Sequence, residues 1–253
     1  VRQALISDIH GNLEALNAVF ADIETQSVDE IICLGDIVGY GPNPCECLDF
    51  VMRKTKFSIL GNHDQAALFD PEGFNPVALR AIYWTRDRLD DTTGGRQAVA
   101  NKRWDYISEL QKQMIQGDML YVHGSPRDPT NEYVFPETIY DGPKMRSMFE
   151  RVKQYCFQGH THMPGIFTED LEFIEPHQCN HEFAFEREKL MVNVGSVGQP
   201  RDENPLSCYV IIDYDKKRFY FRRVEYDVDK TIQKIYAIDE LDNVLGDRLR
   251  GGR

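Results

Sequence analysis

The chain reads as an α/β fold of two stacked sheets with helices outside. Three observations lead there. Up to Asp64, short apolar runs alternate with stretches of helical periodicity. Each run ends in a turn containing Gly, Asp, Asn or His, and from about Gly165 onward short strands separated by tight turns take over. Repeated β-loop-α units build a largely parallel, buried sheet, whereas hairpins build antiparallel neighbours. Together they predict a single domain over residues 1–253.

Arg2 to Ser7 is a β-like run closed by Asp8-Ile9-His10-Gly11-Asn12. Leu13, Leu16, Val19, Phe20 and Ile23 then recur at helical spacing. Glu30 to Leu34 is the second strand, followed by a Gly/Pro/Asn-rich loop from Gly35 to Pro44 and a helix carrying Leu48 and Val51. Phe57 to Leu60 leads into Gly61-Asn62-His63-Asp64. Pro76 to Leu110 reads as helical, broken by the turn Asp91-Thr92-Thr93-Gly94-Gly95. Met119 to Val122 is a strand ending at His123, Ser125 to Pro136 a Pro-rich loop and Thr138 to Val152 a helix. Tyr155 to Gln158 leads into Gly159-His160-Thr161-His162. Gly165 to Thr168, Leu171 to Glu175, Leu190 to Val194 and two runs within Cys208 to Val224 read as strands, the last two joined by a turn over Asp213 to Lys217. His177 and His181 fall in an expected hairpin as surface residues. Ile232 to Leu249 predicts one C-terminal helix.

Length and composition suit a globular protein: 253 residues, 42% hydrophobic and 28% charged. A formal net charge of −12 argues against non-specific binding to nucleic acid or an anionic membrane. No stretch approaches the ~18 apolar residues of a membrane span. The six cysteines, Cys33, Cys45, Cys47, Cys156, Cys179 and Cys208, contain no C-x-x-C pair and read as free thiols in a reducing compartment. The N-terminus begins at once with a strand and a motif, leaving no room for a signal peptide. The expectation is a cytoplasmic protein.

Five of the seven histidines fall in the motifs that follow strands. Each motif alone is weak: Asp8 could cap the helix opening at Leu13, and a lone His123-Gly124 is more often structural. As a set, Asp, Asn and His at the carboxyl ends of several strands offer the oxygen and imidazole donors of a divalent-metal site. Two metals ~3.5–4 Å apart can clamp a phosphoryl group and lower the pKa of a bound water toward ~7. One carboxylate must bridge such a pair, and Asp36, between two Gly-containing turns, is best placed.

These segments, from about Leu5 to Gly198 and in the same order, resemble the calcineurin-like metallophosphoesterases. The resemblance implies a four-layer α/β/β/α sandwich of two mixed sheets. It further implies that Asp8, His10 and His162 hold one metal, that Asn62, His123 and His160 hold the other, and that Asp36 bridges both. His63 is then a catalytic group that contacts substrate, with Asp64 orienting it. The cofactor would be two divalent ions, Mn, Fe, Zn, Co or Ni, and the reaction direct attack by metal-bound hydroxide without a phosphoenzyme. Protein Ser/Thr phosphatases of the superfamily carry Asp-Arg-Gly after the second motif, but here Asp36 is followed by Ile37-Val38-Gly39-Tyr40-Gly41. That segment, with Asn193 to Arg201, looks closer to the small prokaryotic phosphodiesterases and dinucleoside-polyphosphate hydrolases. Arg127 and Arg201 are candidate phosphate ligands. Tyr40, Tyr133, Phe135 and Trp84 offer faces for a base, although packing is the commoner use of each. The expected activity is hydrolysis of a phosphodiester or phosphoanhydride in a small nucleotide-type substrate such as a dinucleoside polyphosphate. The alternatives are a phosphomonoesterase, a phosphoprotein phosphatase or a non-catalytic metal-binding scaffold; a DNA nuclease fits the metals but not the charge.

Overall fold

The computed structural model describes residues 1–186 and 188–253. Three β-loop-α passes open the chain: β1 (Arg2–Ile6), α1 (Leu13–Thr25), β2 (Glu30–Cys33), α2 (Pro44–Lys54), β3 (Phe57–Ser58) and α3 (Asn62–Leu68). Helices α4 (Pro76–Leu89) and α5 (Gln97–Glu109) lead to the hairpin of β4 (Gln113–Gln116) and β5 (Met119–Val122). Next come α6 (Gly142–Phe149), β6 (Tyr155–Gln158), β7 (Gly165–Thr168), β8 (Phe173–Ile174), β9 (Glu182–Ala184) and β10 (Leu190–Asn193). The hairpin of β11 (Ser207–Asp213) and β12 (Arg218–Val224), then α7 (Val228–Tyr236) and α8 (Val244–Gly251), close the chain.

Two six-stranded sheets result, ordered β3-β2-β1-β11-β12-β9 and β4-β5-β6-β10-β7-β8. Both are mixed: β1, β2 and β3 run parallel, as do β5, β6 and β10, while β11 and β7 join their sheets antiparallel. The two-residue period of a strand decides the layering. On β1, Ala4 and Ile6 pack with Leu16, Val19 and Phe20 of α1 and with Val51 of α2, whereas Leu5 joins a separate cluster with Ile32, Tyr121, Phe157, Val192 and Val210 between the sheets. On the far sheet, Val122, Cys156 and Met191 turn outward onto Met145, Met148 and Phe149 of α6. Helix, sheet, sheet, helix is the four-layer sandwich.

α1 is capped by Asn12, whose side-chain oxygen accepts from the Ala15 amide at 3.1 Å; Asp8 is free of that task. Asn12 also donates to the Gly198 carbonyl at 2.9 Å and accepts from the Thr231 hydroxyl at 3.0 Å. Asn12→Ala is therefore expected to cost about 2 kcal/mol or more, an N-cap plus a buried carbonyl left unpartnered. Equilibrium urea unfolding measures it, and a change below about 0.5 kcal/mol, the usual effect of an uninvolved surface site, would remove Asn12 from this role.

Several expectations need correction. The C-terminal segment is two helices, α7 and α8, because Leu241 turns into the core while the polar run Asp239-Glu240 and Asp242-Asn243 forms the turn around it. Thr138 to Val152 is also divided: a 3₁₀ turn over Pro136–Tyr140 ends at Asp141, whose carboxylate caps α6 at Lys144. His177 lies on a 3₁₀ turn, Pro176–Cys179, rather than in a hairpin strand. β4 was hidden in an exposed Gln-Met-Ile-Gln segment that carries little apolar signal. Among the described residues no helix is long and apolar enough to cross a membrane, and all six cysteines are unpaired.

Candidate metal centre

Parallel strands place their carboxyl ends on one edge, so the loops after β1, β2, β3, β5 and β6 converge there. Backbone bonds lock them together: the Asp8 amide donates to Gly35 at 3.0 Å, His10 to Asp36 at 2.9 Å and Gly159 to His123 at 3.0 Å. Turns this tight need left-handed backbone. Asp8, His10, Asp36, Tyr40, His160 and His162 all have φ between 48° and 68°, a strained region for side chains other than Gly, Asn and Asp. Gly61 permits a close approach at the centre itself, since a Cβ there would stand 2.1 Å from Asp36 Oδ1.

Asp8, His10, Asp36, Asn62, His123, His160 and His162 are brought together and buried. Asp8, His10 and His162 form one group of facing donor atoms, and Asp36, His123 and His160 another, each within 4.8 Å. Asn62 Oδ1 lies 3.2 Å from His123 Nε2. Asp36 stands between the groups, with Oδ2 at 3.5 Å from His10 Nε2 and 3.4 Å from His123 Nε2. Its other oxygen accepts the His63 amide at 2.8 Å.

The histidine rings share one arrangement. His10, His123 and His162 turn Nδ1 outward to the carbonyls of Val38 (3.2 Å), Leu34 (2.8 Å) and Gln199 (2.6 Å), leaving Nε2 inward. His160 is reversed, with Nε2 on the Asn131 carbonyl at 3.1 Å and Nδ1 inward. A carbonyl only accepts, so each outer nitrogen carries the hydrogen and each inner nitrogen of a neutral ring is a lone pair. Yet His10 and His162 Nε2 are 3.2 Å apart, and His123 Nε2 and His160 Nδ1 3.0 Å. Where both rings of a pair are neutral, lone pairs face at that distance beside two carboxylates, an arrangement that divalent cations would hold apart; a protonated His123 would instead donate to His160 Nδ1. The outward bonds also fix tautomer and ring plane, as around histidine metal ligands generally.

The electrostatics agree. Burial disfavours charge on Asp8 and Asp36, but His162 on the first and His123 on the second outweigh it and hold both carboxyls low. Burial pushes His10 and His162 down, and His160 down to about 3 with help from His123. His123 is raised to about 9, because Asp36 and Asp8 overcome its desolvation. Anionic carboxylates among mostly neutral imidazoles, without solvent, form a site suited to cations.

His63 differs from these four. It lies within 4.8 Å of His10 and Asp36 donor atoms, but among the described residues its buried Nδ1 has no hydrogen-bond partner to lock it. Packing holds the ring, with Tyr40 at 4.4 Å, His10 at 4.8 Å and Phe74 at 5.1 Å between centroids. Burial lowers its pKa to about 4. Among the described residues Asp64 makes no hydrogen bond to that ring. Its carboxylate accepts the amides of Ile37 (3.0 Å), Val38 (3.2 Å) and Gly61 (3.2 Å), and so pins the Asp36 loop to α3; burial and Asp36 raise it to about 7.

Of the candidate substrate residues, Arg201 and Tyr40 border the centre. The Arg201 guanidinium stands 5.9 Å from the Tyr40 ring and donates to Gln199 Oε1 at 2.7 Å. Arg127 is elsewhere, paired with Glu132 at 3.4 Å. Tyr133 stacks on the His160 ring at 3.7 Å, and Phe135 on Tyr133 at 5.4 Å. Trp84 is core, packed with Ile232, Leu245 and Leu249. Sequence reasoning missed the carbonyls of Leu34, Val38, Asn131 and Gln199, which leave no residue-type signal. It also missed Arg248 of α8, whose pKa burial and the nearby Arg201 charge both lower.

A profile of the calcineurin-like phosphoesterase superfamily domain matches residues 1–217. An uncharacterized protein of Methanocaldococcus jannaschii is 35% identical over 260 residues, covering 99% of this chain and 98% of that one. A metallophosphoesterase from Sphaerobacter thermophilus superposes with a TM-score of 0.84 at 36% identity, over 100% of this chain and 99% of that one. A shorter match, 30% identity over 89 residues, is to the symmetrical bis(5'-nucleosyl)-tetraphosphatase of Pasteurella multocida, spanning 34% of this chain and 30% of that enzyme.

Proposed function

The chain belongs to the calcineurin-like phosphoesterase superfamily, and from that premise we propose that it is a two-metal phosphoesterase acting on a nucleotide-type phosphodiester or phosphoanhydride, with a dinucleoside polyphosphate the first candidate. The observation that carries this reading is the convergence of four inward imidazole nitrogens and two carboxylates in one buried site. Asp8, His10 and His162 would hold one ion, Asn62, His123 and His160 the other, with Asp36 between them. Mn, Fe, Zn, Co and Ni all suit this donor set. Such a pair supplies Lewis-acid stabilisation of the phosphoryl oxygens and acidifies the attacking water. Because the ligands come from both sheets, we treat residues 1–253 as one domain. Six unpaired thiols support a reducing compartment, the cytoplasm.

The chain's own groups do the rest. Arg201, uncommitted to any carboxylate among the described residues, neutralises a phosphoryl oxygen. His63 faces the centre without being locked to it, so its neutral ring N–H can donate to the phosphoryl group, and the small fraction protonated above a pKa of about 4 can give a proton to the leaving oxygen. Asp64 holds Asp36 and α3 in register. Gly39 gives His63 its place: at φ 91°, a Cβ there would meet His63 Nδ1 at 2.4 Å. Gly39→Ala should displace the ring and lower kcat by about 10²-fold or more, toward the loss expected of an absent general acid, with metal content retained. Unchanged kcat would show that the ring's position does not matter.

The test of the function is hydrolysis, by protein loaded in turn with Mn²⁺, Fe²⁺, Zn²⁺, Co²⁺ or Ni²⁺, of diadenosine tetraphosphate, bis-p-nitrophenyl phosphate and p-nitrophenyl phosphate, with an EDTA-treated control. EDTA-sensitive cleavage of the dinucleotide supports the full reading. Turnover of the monoester alone would point to a phosphomonoesterase. No turnover with any of the five metals would overturn the enzyme reading in favour of a scaffold.

A further inference from the structure

Beside the metal centre lies a cleft of about 490 Å³, with Met163, Pro164, Phe173, Pro176, His177 and Arg201 in its walls. Two loops of the centre run directly into it. Met163 and Pro164 follow His162, and the Arg201 amide donates to the His162 carbonyl at 3.2 Å. Opposite, Pro136 follows Phe135 in the aromatic stack that begins on His160. The cleft therefore starts one or two residues, about 4–8 Å of chain, from the candidate ligands. That is the order of distance between a 5'-phosphate and its base. We propose that this cleft seats the nucleoside part of the substrate, base against Met163 and Phe173, while its phosphate reaches the metals past Arg201. The proposal deepens the phosphoesterase reading above and rests on it.

Shape, lining and charge each contribute. The volume is in the range of small-molecule sites and far exceeds what a bare phosphate needs. Apolar Met163, Phe173 and prolines face polar His177, His181 and Asn204, a mixture suited to a base with a hydroxylated sugar; methionine adapts its shape to a flat ring. The charges are sorted as well. Arg223 in the wall is paired with Asp202 and His177 meets Glu175 at 3.0 Å, while Glu203, the remaining carboxylate of the wall, is exposed to solvent. Among the described residues Arg201 is left without a carboxylate, at the end nearest the centre. A ligand with an anionic head and an uncharged body is thereby oriented head-first toward the metals. A cleft of about 580 Å³ at Arg127, Asp128, Glu132, Ser147 and Arg151, and those of about 480 and 390 Å³ at Tyr226 and Tyr236, are lined by none of the candidate metal ligands.

The test is calorimetric titration of Mn²⁺-loaded protein with AMP, ribose 5-phosphate and inorganic phosphate, independent of turnover. His177→Trp fills the cleft from its exposed rim, and Met163→Ala removes its apolar wall. The wild type should bind AMP at least about tenfold more tightly than phosphate or ribose 5-phosphate, the effect of seating one base. Both variants should reduce that preference about fivefold or more, through AMP affinity and not phosphate affinity. Three results would overturn the proposal: AMP binding no tighter than phosphate, ribose 5-phosphate matching AMP, or a preference unchanged in both variants. Hydrolysis of bis-p-nitrophenyl phosphate by the wild type, run in parallel, reports separately on the phosphoesterase reading.

Discussion

Asp36→Asn is expected to strip metal from both positions and to reduce hydrolysis to the EDTA-treated background. One Asp36 oxygen is held by the His63 amide at 2.8 Å, and the other faces His10 at 3.5 Å and His123 at 3.4 Å. An asparagine in the same place offers a neutral oxygen in one flip and an N–H aimed at the metals in the other. Changing a mere neighbour of a ligand typically costs 10–100-fold in metal affinity, so if Asp36 bridges two cations as proposed, losing its charge should exceed about 100-fold at each. Elemental analysis after gel filtration, at matched folding by circular dichroism, reads the result. Two metal ions per chain in the variant would contradict the placement of Asp36 between them.

His63→Ala should separate chemistry from binding. The four locked histidines and both carboxylates keep their contacts when this ring is removed, so both metals should remain. The expected fall in kcat is roughly 10²–10⁴, the usual range for a missing general acid or base. The loss should be greater for a substrate with a poor leaving group, such as an alkyl phosphodiester, than for a nitrophenyl ester, whose phenolate departs without a proton. Equal losses on both would place His63 in phosphoryl-oxygen binding instead. Loss of metal would make it a ligand, an option that its distance to His10 and Asp36 leaves open geometrically.

The fold and the centre were legible for different reasons. Strand runs such as Arg2 to Ser7 and Tyr155 to Gln158 are short, apolar and bounded by turns, and the parallel pattern follows from the helices between them. The donor side chains were legible because few structural duties need Asp, Asn and His clustered after successive strands. What escaped lacks side-chain identity or local signal. Outward carbonyls exist at every residue, and only the folded register shows that those of Leu34, Val38, Asn131 and Gln199 meet imidazoles. The break between α7 and α8 was masked because Leu241 continues the apolar spacing through a turn. Arg127 looked well placed by proximity to His123 in sequence, but the loop folds back so that Ser125, Asp128 and Glu132 satisfy one another and take Arg127 with them.

The reversed ring of His160 sets a rule for how this centre can drift. Its inward Nδ1 is as many bonds from Cα as the oxygen of asparagine or aspartate; the inward Nε2 of His10, His123 and His162 matches glutamine or glutamate. Exchange at position 160 should therefore favour the short amide or acid, and at the other three the long one. A relative with Asn at 160 would keep a donor in place, whereas the same residue at 123 would leave a gap. Metal retention by His160→Asn over His160→Gln, with the opposite order at His123, is the corresponding comparison. Four chemically identical residues are, by this measure, two different vocabularies.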